Sequence, residues 1–396
     1  MVLAVADVVE RYVRRNPESK RLHEARSRVM PGGNTRTTLH VAPFPLTIVR
    51  AEGACIWDAD GHEYLDFLGE YTAGLYGHSH PVILEAIREA LAGGIVLGAP
   101  NRYELALAEA VCGRFPSIDL VRFCNSGTEA NVLALSLARA VTGRAKVVVF
   151  ANGYHGGVLS FKSGGSPLNY PLEFVVADYN DVRAAELVDR DTAAVLVEPL
   201  QGSGGVIPGE RSFLQALRDA TRGHDALLIF DEVMTSRLAW GGLQEVLGIT
   251  PDLTTLGKYI GGGLAFGAFG GRRDLMERFD PSREGAFQHA GTFNNAVLTM
   301  AAGVAGLTKV LTPAEIARLN ALGDRLRERL PDETHATGYG SMVGLHFDDD
   351  ERATAVHLGM LERGYSYARR GFVALSLPLT QDDVDGFAEA LAVEVA

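Results

Sequence analysis

The chain has little cysteine. Cys55, Cys112 and Cys124 are its only three, with no CxxC pair and no paired histidines beside them. That excludes the common zinc patterns and offers no disulfide framework, so free thiols in a reducing cytoplasm are expected. Positive charge is also scarce: 37 Lys and Arg stand against 49 Asp and Glu, a net charge of -12. A general affinity for nucleic acid or anionic lipid is thereby excluded, because both need clustered cations to displace counterions. No run reaches about 18 uninterrupted apolar residues, the length that crosses a bilayer. The start, MVLAVADVVERYVRRNPESK, turns charged after a few apolar residues and is expected to form an amphipathic helix rather than a signal peptide. Repeats and low-complexity tracts are missing as well. These absences point to a soluble cytoplasmic protein that needs neither nucleic acid nor a membrane.

What is present is glycine, 45 residues of it, and an apolar fraction of 47% in 396 residues. Such a chain suits a large α/β domain with a smaller one appended. LVRF (120–123), KVVVF (146–150), AAVLV (193–197), ALLIF (226–230) and FGAFGG (266–271) alternate with helical patterns. Short unbroken apolar runs read as strands buried on both faces, and their spacing reads as a parallel sheet. Earlier, the DADG tetrad in GACIWDADGHEYLDF (53–67) is a hairpin turn signal. Beyond residue 300, helical patterns with the short strands SMVGLHF and FVALSL suggest an α+β domain, with a long helix bridging the parts near 295–310. The expected division is an N-terminal segment 1–50 packing with the small domain, a large domain 51–300 and a small domain 301–396.

Open parallel sheets bind ligands beyond the carboxyl ends of their strands. After LVRF come Ser126, Gly127 and Thr128 at a helix start in CNSGTEAN. They can form a phosphate cup, or an ordinary cap closed by Glu129. After KVVVF come Tyr154 and His155 in ANGYHGG. Tyr154 is placed to stack on a flat heterocycle, or simply to pack. Glu198 in VEPLQG, and Asp231 and Glu232 in FDEVMTSR, follow the next two runs. A carboxylate there needs a partner charge or donor, and Asp231 facing a ring nitrogen would keep that nitrogen protonated; structural caps or ion pairs are the alternative. Lys258, 27 residues past Asp231 in TTLGKYIGGG, is poorly placed as a surface charge and well placed as an amine nucleophile toward an aldehyde. Neither GxxxxGK[ST] nor a strand-borne GxGxxG occurs, which removes the main support for nucleotide binding. Thr292 in HAGTFNNAV offers another phosphate donor, and the histidines of GHSHP lack the third ligand a metal site needs.

Taken in order, SGTEA, GYHGG, VEPLQG, DEV, LGK and GTF resemble the class III aminotransferases, pyridoxal-phosphate enzymes of fold type I, across nearly the whole chain. The resemblance implies a large, mostly parallel sheet sandwiched by helices, plus a smaller α+β domain. It implies Lys258 as the Schiff-base lysine and proton shuttle, Asp231 on the pyridine nitrogen, and Val233 and Tyr154 on the two ring faces. Ser126, Gly127 and Thr128 would take the phosphate, joined by Thr292 from the neighbouring subunit of a homodimer with shared active sites. Glu198 would lie at the cofactor's hydroxyl edge, with His155 behind it. No metal is implied.

Within the family, PGGNTRTTLHVAPFPLTI (31–48) and RRGFVALSLPLT (369–380) resemble the β-phenylalanine, or β-amino-acid, aminotransferases more than the glutamate-1-semialdehyde aminomutases. In that subgroup Arg36 matches the arginine expected to hold a β-amino-acid carboxylate, and Arg370 the one expected to anchor a carboxylate in the opposite pocket, so that one site takes both the β-amino acid and 2-oxoglutarate in a ping-pong exchange. Guanidinium forks suit both tasks. Tyr76 in EYTAGLYGHSH either lines a pocket for an aromatic side chain or packs. The stretch between about 330 and 365 is shorter than in relatives. An aminomutase-like isomerase and another ω-transaminase are the competing readings.

Overall fold

A computed structural model describes residues 5–396; the first four residues of the expected N-terminal helix lie outside the described residues. The chain divides into two units. One holds the described residues up to Tyr71, Gly77–His80 and Leu319–Ala396; the other holds Thr72–Tyr76 and Pro81–Arg318. These limits differ from the boundaries at 51 and 301 read from the sequence, and strand pairing gives the reason. Glu63–Asp66 pairs in parallel with Tyr365–Ser366, Leu65 opposite Tyr365, which ties the early hairpin to the C-terminal residues.

The first unit begins with helices Val5–Arg15 and Pro17–Ser27. Strands Cys55–Asp58 and Glu63–Asp66 form the hairpin that DADG signals. Its turn is built on one side chain: the Asp58 carboxylate accepts the N–H groups of Asp60 and His62 at 3.0 and 2.8 Å and the Tyr64 hydroxyl at 2.6 Å. Met342–Gly344 and Phe372–Ala374, inside the two segments read as strands, pair antiparallel together with Thr337–Tyr339.

The second unit is built on seven strands: β1 (Leu120–Cys124), β2 (Lys146–Phe150), β3 (Glu173–Ala177), β4 (Thr192–Val197), β5 (Leu227–Asp231), β6 (Leu253–Gly257) and β7 (Gly267–Gly271). Their order is β1-β7-β6-β5-β4-β2-β3. All run the same way except β7, which is antiparallel to both neighbours. The sheet is mostly parallel, as expected, and β7 is the exception because only residues 258–266 separate it from β6, whereas a parallel return needs about a dozen or more. β3 escapes the sequence pattern because it is an edge strand paired only with β2, and its burial is partial.

Alternating residues of each strand feed two cores. Val147 and Val149 of β2 join Leu196, Ile229 and Leu135 on one face. Val148 and Phe150 join Val195, Leu228, Phe213 and Leu217 on the other. Each such side chain contributes about 1.5–3 kcal/mol by leaving water, and β4 and β5 are buried along their whole length. The long bridging helix is instead two, Val297–Val310 and Pro313–Arg329, bent by 82°. Pro313 starts the second, where a missing N–H costs nothing. No single described helix is long and apolar enough to cross a membrane.

Candidate active site

Because β1, β2, β4, β5 and β6 share one direction, their carboxyl ends lie along one edge of the sheet, and each delivers residues singled out from the sequence. At the end of β1, Ser126 caps helix Gly127–Thr142, its hydroxyl accepting the Glu129 N–H at 3.1 Å. The capping alternative is therefore present in the structure, yet it does not close the site. Glycines hold the surroundings open: a Cβ on Gly267 would lie 2.1 Å from the Ser126 carbonyl oxygen, and one on Gly156 would lie 2.2 Å from the Thr128 hydroxyl. The Gly157 N–H reaches that hydroxyl at 3.3 Å. Helix-terminal N–H groups with two hydroxyls and close backbone approach can receive a phosphate.

Asp231, at the end of β5, is buried and held by three donors. Its Oδ2 accepts Asn131 Nδ2 and His155 Nδ1, each at 2.8 Å, and its Oδ1 accepts the Val233 N–H at 3.0 Å. His155, expected only as a supporting residue, thus touches the key carboxylate. Asn131 was missed by the sequence reading. It is fully buried, donates also to the His155 carbonyl at 3.0 Å, and accepts the Thr255 hydroxyl at 2.7 Å. The available signal was one amide in a helix otherwise rich in alanine and leucine. Adjacent Glu232 turns away from this cluster, accepting the N–H groups of Leu243 and Gln244 at 2.9 and 2.8 Å and the Thr235 hydroxyl at 2.6 Å. Its role is structural.

Glu198, after β4, is buried and accepts the N–H groups of Tyr154 and Gly202 at 3.0 and 2.9 Å. Burial pushes its carboxyl up to about 7; His155 opposes this and Asp231 adds to it. Tyr154 itself is 40% exposed, which leaves room for a ligand against it. Val233 lies against Gly127 and Gly257, where added Cβ atoms would approach its methyl groups to 3.0 and 3.1 Å. Lys258 follows β6 directly and adopts φ 56°, a left-handed conformation that a non-glycine residue holds only when the surroundings enforce it. Thr292 lies exposed on the loop before helix Val297–Ala305.

Arg36 and Arg370 belong to the first unit. Arg36 pairs with Glu70, and both guanidinium groups lie over the Tyr71 ring, 5.9 and 5.0 Å from its centroid. Arg370, Glu70 and Tyr71 line a cavity of about 720 Å³ within that unit. Tyr76 is enclosed in the second unit, 4% exposed, its ring 6.1 Å from that of Tyr259. That interior position is accounted for by packing. His78 of GHSHP meets Asp66 at 3.0 Å, and no group of His, Cys, Asp or Glu among the described residues is arranged to hold a metal ion.

The residues fit pyridoxal phosphate: a phosphate cup, a buried carboxylate braced by three donors, an open aromatic face and a lysine at adjoining strand ends. Comparisons with known proteins agree. The pattern of the class III aminotransferases matches residues 38–391. The chain is 51% identical to the beta-phenylalanine transaminase of Variovorax paradoxus, over 98% of this chain and 95% of that one. It is 39% identical to a glutamate-1-semialdehyde 2,1-aminomutase of Sorangium cellulosum, over 94% of each. The crystal structure of a beta-phenylalanine aminotransferase from Variovorax paradoxus superposes with a TM-score of 0.96 at 50% identity, covering 98% of this chain and 96% of that one. A transaminase with PLP bound superposes with a TM-score of 0.91 at 31% identity, covering 96% and 97%. The α/β architecture, the site chemistry and this similarity lead to one conclusion: the chain belongs to the class III aminotransferases and is a pyridoxal-phosphate-dependent enzyme of fold type I.

Proposed function

We propose that the enzyme moves the amino group of a β-amino acid, aromatic like β-phenylalanine, to 2-oxoglutarate by a ping-pong exchange. The observation that carries this reading is the pair Arg36 and Arg370 over one tyrosine ring. Two carboxylate anchors suit a site that must take, in turn, an amino donor and a keto acid whose carboxylates lie at different distances from the reacting carbon. The 51% identity to a beta-phenylalanine transaminase supports it further.

When bound, pyridoxal phosphate supplies the carbonyl carbon that takes up nitrogen and an electron-poor ring that accepts the electron pair left by proton removal. Ser126, Gly127 and Thr128 receive the phosphate. Asp231 keeps the ring nitrogen protonated, braced by His155 and Asn131, while Tyr154 and Val233 confine the ring between them. Glu198 stands at the hydroxyl edge. Lys258 would hold the cofactor, and its Nζ would serve as the base that takes up and gives back a proton at the reacting carbon. Arg36 orients the β-carboxylate of the donor and Arg370 that of the acceptor.

The working form in this proposal is a homodimer in which Thr292 completes the phosphate site of the other subunit. Its support is the exposure of apolar side chains near that loop: Phe293 is 63% exposed, and Val96, 76% exposed, lies in the segment whose Ala99 carbonyl accepts Asn295 Nδ2 at 3.4 Å.

Cofactor-loaded enzyme mixed with racemic β-phenylalanine and 2-oxoglutarate tests the reading. Glutamate is expected only when both substrates are present. No glutamate from enzyme that retains bound cofactor overturns the substrate assignment and leaves an isomerase or a differently specific ω-transaminase.

A further inference from the structure

Three residues in a row reverse the handedness of the chain beside the paired arginines. Gly69, Glu70 and Tyr71 take φ of 53°, 46° and 54°. Left-handed backbone is unfavourable for residues that carry a side chain and persists where the surroundings enforce it. Asp66 Oδ1 accepts the N–H groups of Leu68 and Gly69 at 2.8 and 3.2 Å, and the Tyr71 N–H donates to the Leu68 carbonyl at 3.1 Å. Gly69 backs onto strand Phe372–Ala374, where a Cβ added to it would lie 2.9 Å from the Ala374 carbonyl oxygen. The segment carrying Arg36 is fixed as well. Its N–H donates to Asn34 Oδ1 at 3.1 Å, its carbonyl accepts the Leu39 N–H at 2.9 Å, and the Tyr71 hydroxyl donates to the Thr38 carbonyl at 3.2 Å.

The side-chain bond between these two segments uses one nitrogen: Arg36 Nη1 donates to Glu70 Oε1. A guanidinium offers a carboxylate two matched pairs of N–H groups, the end pair Nη1/Nη2 and the side pair Nε/Nη2. Contact through Nη1 spoils the end pair and leaves the side pair whole. A carboxylate that competed with the substrate would take up a pair; Glu70 takes the nitrogen that the side pair does not need.

We infer that Glu70 is a positioning residue for the carboxylate of the amino donor: from its left-handed turn it braces Arg36 through Nη1 and leaves the Nε/Nη2 edge for the substrate. The inference rests on the proposed role of Arg36. The two side chains are 44% and 51% exposed, so an unbraced Arg36 would sample many rotamers, and fixing it at the moment of binding would cost affinity. The same exposure makes the pair a minor contributor to folding, which separates its two possible roles. The strain in the turn has a use on this reading, because it holds the Glu70 backbone where the brace must start.

The test measures, by calorimetry on cofactor-loaded enzyme, the binding of 3-phenylpropionate, which has the carboxylate and ring of β-phenylalanine but no amine to react. Glu70→Ala is expected to weaken it by about tenfold and to raise KM for β-phenylalanine by a similar factor, with kcat and melting temperature near wild type. Glu70→Gln, whose amide oxygen still accepts from Nη1, should recover most of the affinity. Arg36→Ala serves as the control. If it weakens 3-phenylpropionate while Glu70→Ala binds as well as wild type or better, Glu70 is a bystander or a competitor and the inference is wrong. If Arg36→Ala itself changes nothing, the proposed role of Arg36 fails and the inference falls with it. Equal loss in Glu70→Gln and Glu70→Ala, or a Glu70→Ala melting temperature well below wild type, would reduce Glu70 to a folding role and also overturn the inference.

Discussion

Arg36 and Arg370, 334 positions apart in the sequence, lie over one ring, with guanidinium carbons 5.9 and 5.0 Å from the Tyr71 centroid. Tyr71 is buried, and burial raises its phenol while both arginines pull the other way, so the ring stays neutral and presents its face to two cations. Arg36→Ala is expected to raise KM for the β-amino acid, and Arg370→Ala to raise KM for 2-oxoglutarate. Each loses a charge-assisted carboxylate contact, equivalent to roughly tenfold to hundredfold. Half-reactions measured with each substrate alone separate the two. Equal damage to both half-reactions in either variant would show that the arginines do not divide the work.

Asn131 and His155 converge on one oxygen of Asp231, so each should matter beyond its distance from any substrate. Asn131→Leu removes one donor from a buried carboxylate and also orphans the Thr255 hydroxyl, a loss of about 1–3 kcal/mol in apoenzyme stability. Turnover should fall as well, because in its proposed role a less firmly held Asp231 carboxylate keeps the ring nitrogen protonated less effectively. Thermal unfolding and kcat measured together decide the point. A variant as stable and as active as wild type would remove Asn131 from the site.

What the sequence made legible was mainly the run of strand ends. Ser126, His155, Glu198 and Asp231 each follow a short apolar run, and the parallel rule turns that placement into proximity; Lys258 was placed by the glycine-rich stretch after it rather than by a run before it. Asn131 was not legible because its partners lie 24, 100 and 124 positions away. No local pattern encodes such a meeting. The direction of strand β7 was not legible, since its apolar run carries no mark of polarity and only the short link from Lys258 constrains it. Edge strand β3 and the 82° bend before Pro313 depend on partial burial and on packing, neither of which a short window reports.

Glu198 gives a pH dependence with a definite sign. Its folded pKa, about 7, lies above its ordinary 4.5, so between those values the native apoenzyme binds more protons than the unfolded chain. Stability from this group therefore falls as pH rises from about 5 to about 7, by about 3 kcal/mol in all. Glu198→Gln cannot titrate there. Denaturant unfolding of apoenzyme at pH 5 and pH 8 should show the wild type losing ground against the variant as pH rises. A gap independent of pH would mean that Glu198 is ionised throughout.

Lys258 combines chemistry with strain, and two substitutions separate them. Lys258→Ala and Lys258→Gly both lack the amine proposed to anchor the cofactor and move the proton. Each should lose at least about 100-fold to 10,000-fold in turnover. The backbone at φ 56° suits glycine and strains alanine, so apo Lys258→Gly should be more stable than apo Lys258→Ala by about 1 kcal/mol. In an ordinary strand or helix the order would be reversed. Matched denaturation curves of the two apo variants read this difference. An alanine variant at least as stable as the glycine one would mean that the left-handed turn at Lys258 relaxes once the lysine is gone, with the strain residing in the side chain's placement rather than in the backbone.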